Sequence, residues 1–186
     1  MRFLILANPN AGSKHGKTVV EKLVTYMTRE HINFKLFLTE RAGDEVRLMK
    51  QILAGATSDD RVVISGGDGT LSLALNHLPA DRPFSYIPAG SGNDFARAMD
   101  ISRDAPIAVF KNLQRATPKE FYIMHYQSAS LSGFALNNIG IGIDGAILEA
   151  SERGHAKKLV NKLHLQSLTY LLTGFNQIFT QKGFPA

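Results

Sequence analysis

Arg61-Val62-Val63-Ile64-Ser65-Gly66-Gly67-Asp68-Gly69-Thr70 is the stretch on which the fold turns. A continuous apolar, β-branched run reads as a strand buried on both faces, and it ends in three glycines around a single carboxylate. Glycine has no Cβ and tolerates positive φ, so consecutive N–H groups there can converge on phosphate oxygens. A structural turn is the plainer alternative, but it leaves Asp68 between the glycines unexplained. A carboxylate beside phosphate has to bind a cation, hold a hydroxyl or accept a proton, because bare repulsion is costly. Gly90-Ser91-Gly92-Asn93-Asp94-Phe95-Ala96-Arg97 repeats the pattern after the next strand-like run, Phe84–Ile87. Two such loops on neighbouring strands point to a nucleotide phosphate site.

Upstream, Phe3–Ala7 and Phe34–Leu38 also read as strands, each followed by apolar residues at helical spacing: Val19, Val20, Leu23, Val24 and Met27, then Val46, Met49, Ile52 and Leu53. Further helices are expected near Thr70–His77, Asp94–Met99 and Ala105–Leu113, the last with Asp104 as its cap and Pro106 in its first turn. Strand–helix alternation with continuously apolar strands predicts an α/β fold, a doubly wound parallel sheet covered on both faces. Such sheets bind ligands at the carboxyl ends of their strands, where every glycine-rich loop noted here falls.

The pattern changes after residue 116. Glu120–Gln127 and Gly133–Ile139 read as consecutive strands, hence an antiparallel hairpin. Leu168, Leu171, Leu172, Phe175, Ile178 and Phe179 follow at helical spacing, as ordinary core packing would require. Residues 1–116 are therefore expected to form a nucleotide-binding α/β domain and 117–186 part of a second, β-rich one.

Composition narrows the function classes. The 186 residues include no cysteine, which excludes disulfides and thiolate metal sites and allows a reducing cytoplasm. No run approaches the roughly 20 apolar residues of a membrane span. The net charge of +5 favours anionic partners without choosing among them. No acid follows Glu152, whereas Arg153, Lys157, Lys158, Lys162 and Lys182 do; a solvated helix face is the first reading and a membrane- or phosphate-facing patch the second. His15, His77, His155 and His164 show no metal-ligand spacing, so the metal ligands stay unassigned.

Three further segments carry alternatives. Asn8-Pro9-Asn10-Ala11-Gly12-Ser13-Lys14-His15-Gly16-Lys17-Thr18 joins a strand to a helix and offers amides to an anion. Ala11 stands where a P-loop has its first glycine and Gly12 comes one residue late, which argues against a true P-loop. Gly140-Ile141-Gly142-Ile143-Asp144-Gly145 spells a dinucleotide fingerprint but lacks the acid about 20 residues on, which argues against a nicotinamide enzyme. Thr39 reads locally as a turn or cap residue, although its place at the same sheet edge keeps a nucleotide contact open. Asn93 and Asp94 begin a helix, so capping competes with ligand binding, more for Asn93 than for Asp94.

Assembled, these residues resemble the diacylglycerol kinase catalytic-domain family, soluble bacterial lipid kinases related to sphingosine kinases and more distantly to NAD kinases. Asn8–Gly12 resembles the first nucleotide loop, Gly66–Thr70 the signature loop, and Gly90–Arg97 the second signature, with serine at 91 where threonine is usual. Asn137–Asp144 resembles the start of the second domain. The resemblance implies ATP, with Mg2+, passing its γ-phosphate to a lipid hydroxyl, diacylglycerol first, at a membrane surface that a cytoplasmic protein visits peripherally. Another lipid or a small polyol is the alternative substrate, and a nucleotide-binding module without turnover the alternative function. No nucleic-acid partner is implied. By motif, Asn8, Pro9, Asn10, Ala11, Gly12, Thr39, Gly66, Gly67, Asp68, Gly69, Thr70, Ser91 and Asn93 would meet the nucleotide, with Asp68 and Asp94 catalytic in the magnesium–phosphate region. The family's second domain is a β-sandwich that carries further metal ligands and the general base, so this chain is expected to be a truncated form. Its hairpin should then expose apolar surface and self-associate, a homodimer being the simplest outcome.

Overall fold

Strands β1 (Phe3–Ala7), β2 (Phe34–Leu38), β3 (Arg61–Gly66) and β4 (Phe84–Pro88) lie parallel in the order β2-β1-β3-β4. They were read from a computed structural model that describes residues 1–139 of the chain. The fingerprint-like Gly140–Gly145, the basic tail, His155, His164 and the apolar series Leu168–Phe179 lie outside the described residues. Met1–Asn137 forms one compact unit.

Alternation within the strands explains why the sheet is covered twice. Leu4, Leu6, Val62, Ile64 and Tyr86 face one layer, made by Leu48, Met49 and Ile52 of α2 (Asp44–Ala54), Leu71, Ala74 and Leu75 of α3 (Asp68–Leu75), and Phe95 and Ala96 of α4 (Asp94–Ala98). Phe3, Ile5, Ala7, Val63 and Ile87 face the other, made by Val19, Leu23, Tyr26 and Met27 of α1 (His15–Arg29) and by Val109 and Phe110 of α5 (Pro106–Arg115). Phe3 meets Phe110 edge to face at 4.9 Å. The central strand β1 is buried at every position, which is why it reads as unbroken apolar sequence. The edge strand β2 is only half covered, and Leu38 is exposed.

From β1 the chain steps outward to β2, then passes back over β1 to lay down β3. The direction of winding therefore reverses between β1 and β3, and the crevice at their carboxyl ends is the switch point where doubly wound sheets take their ligands.

Two expectations need correction. Asp104 does not cap α5: Ala105 holds that position without any side-chain cap bond, and Pro106 opens the helix. The proline ring presets its own φ and keeps the preceding residue out of the helical region, so the start is fixed by sterics rather than by a carboxylate. The first hairpin strand, β5, begins at Met124 rather than Glu120. Phe121 is used instead as a packing residue, its ring 5.9 Å from Phe84 and 5.6 Å from Phe95. The partner strand β6 (Ser132–Ala135) pairs antiparallel with β5, Met124 opposite Ala135. Asn76, just past α3, holds the hairpin by imitating a strand edge: its Nδ2 donates to the Phe134 carbonyl at 3.0 Å and its Oδ1 accepts the Phe134 N–H at 2.8 Å. Met124, Tyr126, Leu131 and Phe134 leave apolar surface exposed on this hairpin, as the sequence reading expects.

At the opposite end of the sheet, Arg2 donates to both oxygens of Asp60, at 3.1 and 2.8 Å, and Asp60 also accepts the Thr57 N–H at 2.8 Å. These bonds hold the Asp60 carboxyl well below the usual carboxylate range, the Arg2 guanidinium contributing most. A carboxylate whose pKa drops on folding stabilises fully above its unfolded value, near about 3.9, and loses that contribution as pH falls through the folded one. Asp60→Asn is expected to lower the melting temperature at neutral pH and to flatten its decline between about pH 5 and about pH 2. Thermal melts across that range check this; parallel curves for the two proteins contradict it.

Candidate functional site

Parallel register sets the site. Ala7 pairs with Leu38 on one side and Ser65 on the other, and Gly66 pairs with Pro88. One residue further on, Asn8, Thr39, Gly66–Gly67 and Ala89–Gly90 leave the sheet along a single edge. The main chain continues to pair across this edge: Asn8 N–H reaches the Ser65 carbonyl at 2.9 Å, Thr39 N–H the Ala7 carbonyl at 3.0 Å and Ala89 N–H the Gly66 carbonyl at 2.8 Å. The stretches 8–12, 66–70 and 90–94 are thus brought together, with Thr39 beside them.

The loops touch through backbone, and glycine is the reason they can. A β-carbon on Gly90 would sit 2.5 Å from the Gly67 Cα, and one on Gly12, whose φ is +57°, would sit 2.5 Å from the Ala89 carbonyl oxygen. Gly66 makes room for the Thr70 side chain, which a β-carbon there would meet at 2.6 Å. The first loop closes on itself through Asn8, whose Oδ1 accepts the Asn10 N–H at 2.9 Å. Around Thr39, Asp44 accepts the N–H groups of Glu40 and Arg41, both at 2.9 Å. Those backbone donors hold the Asp44 carboxyl below its ordinary range.

Asp68 has a role that residue-by-residue reading missed. Its two oxygens accept the N–H groups of Asp94 (3.1 Å) and Phe95 (3.2 Å), so it caps α4 from another loop. Asn93 occupies the cap position at φ +54° without a side-chain cap bond. Its side chain, 3% exposed, turns inward instead: Oδ1 accepts the Gly90 N–H at 2.9 Å and Nδ2 donates to the Gly90 carbonyl at 2.7 Å. Beneath both loops the Tyr86 hydroxyl donates to the Gly66 carbonyl at 2.9 Å. Burial pushes the Tyr86 hydroxyl pKa up, and the negative charge of Asp68 adds to the shift, so the group stays a donor. Ser91 and Asp94 are exposed at the rim, and Asp94 pairs with Arg97. Asp68 and Asp94 flank Gly92: a β-carbon there would lie 3.3 Å from the Asp68 Oδ2 and 3.8 Å from the Asp94 Oδ1.

Tyr86 and Glu45 belong to this region although nothing in the sequence singles them out: Tyr86 lies inside the strand-like run Phe84–Ile87, and Glu45 is a charged residue at the start of a helix, yet it is 3% exposed and accepts the Thr70 hydroxyl at 3.2 Å.

Four adjoining strand-end loops gather at one edge with the carboxylates of Asp68 and Asp94 beside them, donor and acceptor chemistry suited to an anion accompanied by a cation. The chain is 28% identical over 191 residues to the Bacillus subtilis (strain 168) protein named "Putative lipid kinase YtlR", covering 98% of this chain and 61% of that one. It is 37% identical over 112 residues to a protein of the same organism named diacylglycerol kinase, covering 55% of this chain and 34% of that one. The chain therefore spans less than two thirds of the length of the relatives it matches. A crystal structure from Bacillus anthracis str. Sterne, described as that of a "putative diacylglycerol kinase", superimposes with a TM-score of 0.52 over 62% of this chain and 40% of that one, at 24% identity. This likeness extends to the fold. The diacylglycerol kinase catalytic domain profile matches residues 2–126, which take in every strand-end loop described above. The chain belongs to the diacylglycerol kinase catalytic domain family.

Proposed function

We propose that the chain carries the nucleotide-binding part of an ATP-dependent lipid kinase that passes the γ-phosphate to a lipid hydroxyl, diacylglycerol to phosphatidic acid being the first choice. The observation that supports this reading is the close backbone approach of the Gly67 and Gly90 loops, two glycine-rich bends at one sheet edge. Asn8–Gly12, Thr39, Gly66–Thr70 and Ser91 are the residues proposed to meet the nucleotide, and Asn93 to support them by holding Gly90 in place. Family membership and the lipid-kinase names of the relatives support the acceptor class. No helix among the described residues is long and apolar enough to cross a membrane, so the lipid would be met at a surface. Residues 117–186 would supply the beginning of the lipid-side domain.

Magnesium fits the donor set. It keeps several waters and needs only one or two protein carboxylates when phosphate oxygens complete its shell. Asp68 and Asp94, on either side of Gly92, would be those ligands. When bound, the ion neutralises charge on the phosphates. The chain's own contribution is to hold the triphosphate against convergent amides and to aim its terminal phosphorus at the acceptor, since catalysis of this kind is mainly positioning and charge stabilisation.

A labelled γ-phosphate transfer assay on diacylglycerol dispersed in vesicles tests the reading. Transfer to diacylglycerol supports it; transfer only to another lipid or a polyol replaces the substrate. ATP binding without transfer to any acceptor reduces this chain to a binding module. Asp68→Asn is expected to abolish transfer while costing about 1 kcal/mol of stability, the usual worth of a helix cap. Melting and activity lost in proportion would show that Asp68 only supports the fold. Gly90→Ala, which must push two backbones apart, is expected to destabilise by about 1–3 kcal/mol and to weaken ATP binding in the protein that remains folded. Calorimetric titration beside a thermal melt reads both quantities.

A further inference from the structure

Glu45 is a buried carboxylate that the proposed chemistry does not use. It sits in the first turn of α2, 25 residues before Thr70, whose hydroxyl is its side chain's hydrogen-bond partner among the described residues. Its second oxygen, Oε2, is buried and has no hydrogen-bond partner among the described residues. Unfilled acceptor capacity of a buried carboxylate is a standing cost to stability, so Glu45 calls for an explanation beyond packing. Capping its own helix does not provide one, because α2 has no side-chain cap bond.

The bonds running outward from Glu45 do provide one. Thr70 Oγ1 donates to Glu45 Oε1, Asn8 Nδ2 donates to Thr70 Oγ1 at 3.0 Å, and Asn8 Oδ1 accepts the Asn10 N–H. A backbone N–H can only donate and an ionised carboxylate can only accept. Only one orientation of the Asn8 amide and one rotation of the Thr70 hydroxyl satisfy all three bonds. We infer that Glu45 is a positioning residue: it is the terminal acceptor of a three-bond relay whose direction the Asn10 N–H fixes, and by holding the Thr70 hydroxyl it locks Asn8, and with it the bend of the first loop, against the Gly66–Thr70 loop. Glu45 meets no ligand itself. Its effect on nucleotide affinity is exerted through Thr70 and Asn8, and this part of the inference rests on the nucleotide reading above.

The experiment compares Glu45→Met, Glu45→Gln and Thr70→Val in the whole chain. It measures ATP affinity by calorimetric titration, melting temperature, and the Asn8 side-chain amide signals by nuclear magnetic resonance. Methionine removes the acceptor and the partnerless oxygen together at similar volume, and leaves the Thr70 hydroxyl without its acceptor. Glu45→Met is therefore expected to weaken ATP binding about tenfold, the scale of one lost hydrogen bond to a charged group, and to shift the Asn8 signals. Glu45→Gln keeps an acceptor for Thr70 and is expected to restore most of the affinity. Thr70→Val added to Glu45→Met should cost less than its effect alone, because both break one relay. Unchanged affinity in Glu45→Met, or losses that add in the double variant, overturn the inference. Should the unaltered chain bind no ATP, the nucleotide reading fails on its own; the relay is then judged by the Asn8 signals, and their constancy in Glu45→Met overturns it.

Discussion

Backbone meeting backbone at Gly67 and Gly90 is the constraint from which the rest of the site follows. A β-carbon on Gly90 would sit 2.5 Å from the Gly67 Cα and force the loops apart, and one on Gly67 would press the Gly90 Cα at 3.2 Å. Close approach brings a difficulty: bare loops expose amides and carbonyls that the sheet no longer pairs. The protein answers it from three sides. Asp68 takes the free amides of α4, Asn93 takes both polar groups of Gly90, and Tyr86 takes the Gly66 carbonyl from below. Asp68 and Asn93 pair groups beyond the sheet ladder, Tyr86 adds a second donor to a carbonyl that the Ala89 N–H already meets, and together they pre-organise the loops.

The sheet was legible because burial on two faces leaves a direct trace in sequence. Phe3–Ala7 is apolar throughout and Val62–Ile64 is a continuous apolar run, the first ended by Asn8-Pro9 and the second by Ser65-Gly66-Gly67. The loops were legible for a related reason: a contact without side chains demands glycine in a row. The braces were not. Whether Asp68 faces solvent or the start of α4 depends on a contact between residues 26 positions apart, and one sequence carries no record of it. Glu45 shows the same limit more sharply, since its spacing on α2 is that of an ordinary charged residue while its surroundings are those of the core. The errors at Asp104 and Glu120 have local causes that stronger ones override. Proline sterics outrank an optional cap, and the aromatic packing of Phe121 outranks the propensity of its segment for strand.

The two ends of the sheet have different duties. At the amino end, Arg2, Thr57 and Asp60 form a compact ionic knot that ties β1 to β3 and takes no part in the crevice. At the carboxyl end, polar groups are turned toward the loops, and the Glu45 Oε2 is buried without a hydrogen-bond partner among the described residues, a cost that the ionic knot does not carry.

Asn76 gives α3 a second job. The helix is eight residues long, roughly 12 Å at 1.5 Å per residue, with Asp68 and Thr70 at its head and the Asn76 clasp on Phe134 just past its foot. One short helix therefore bears the carboxylate and hydroxyl of the crevice at its head and the clasp of the hairpin at its foot, so both are anchored to the same rod of backbone.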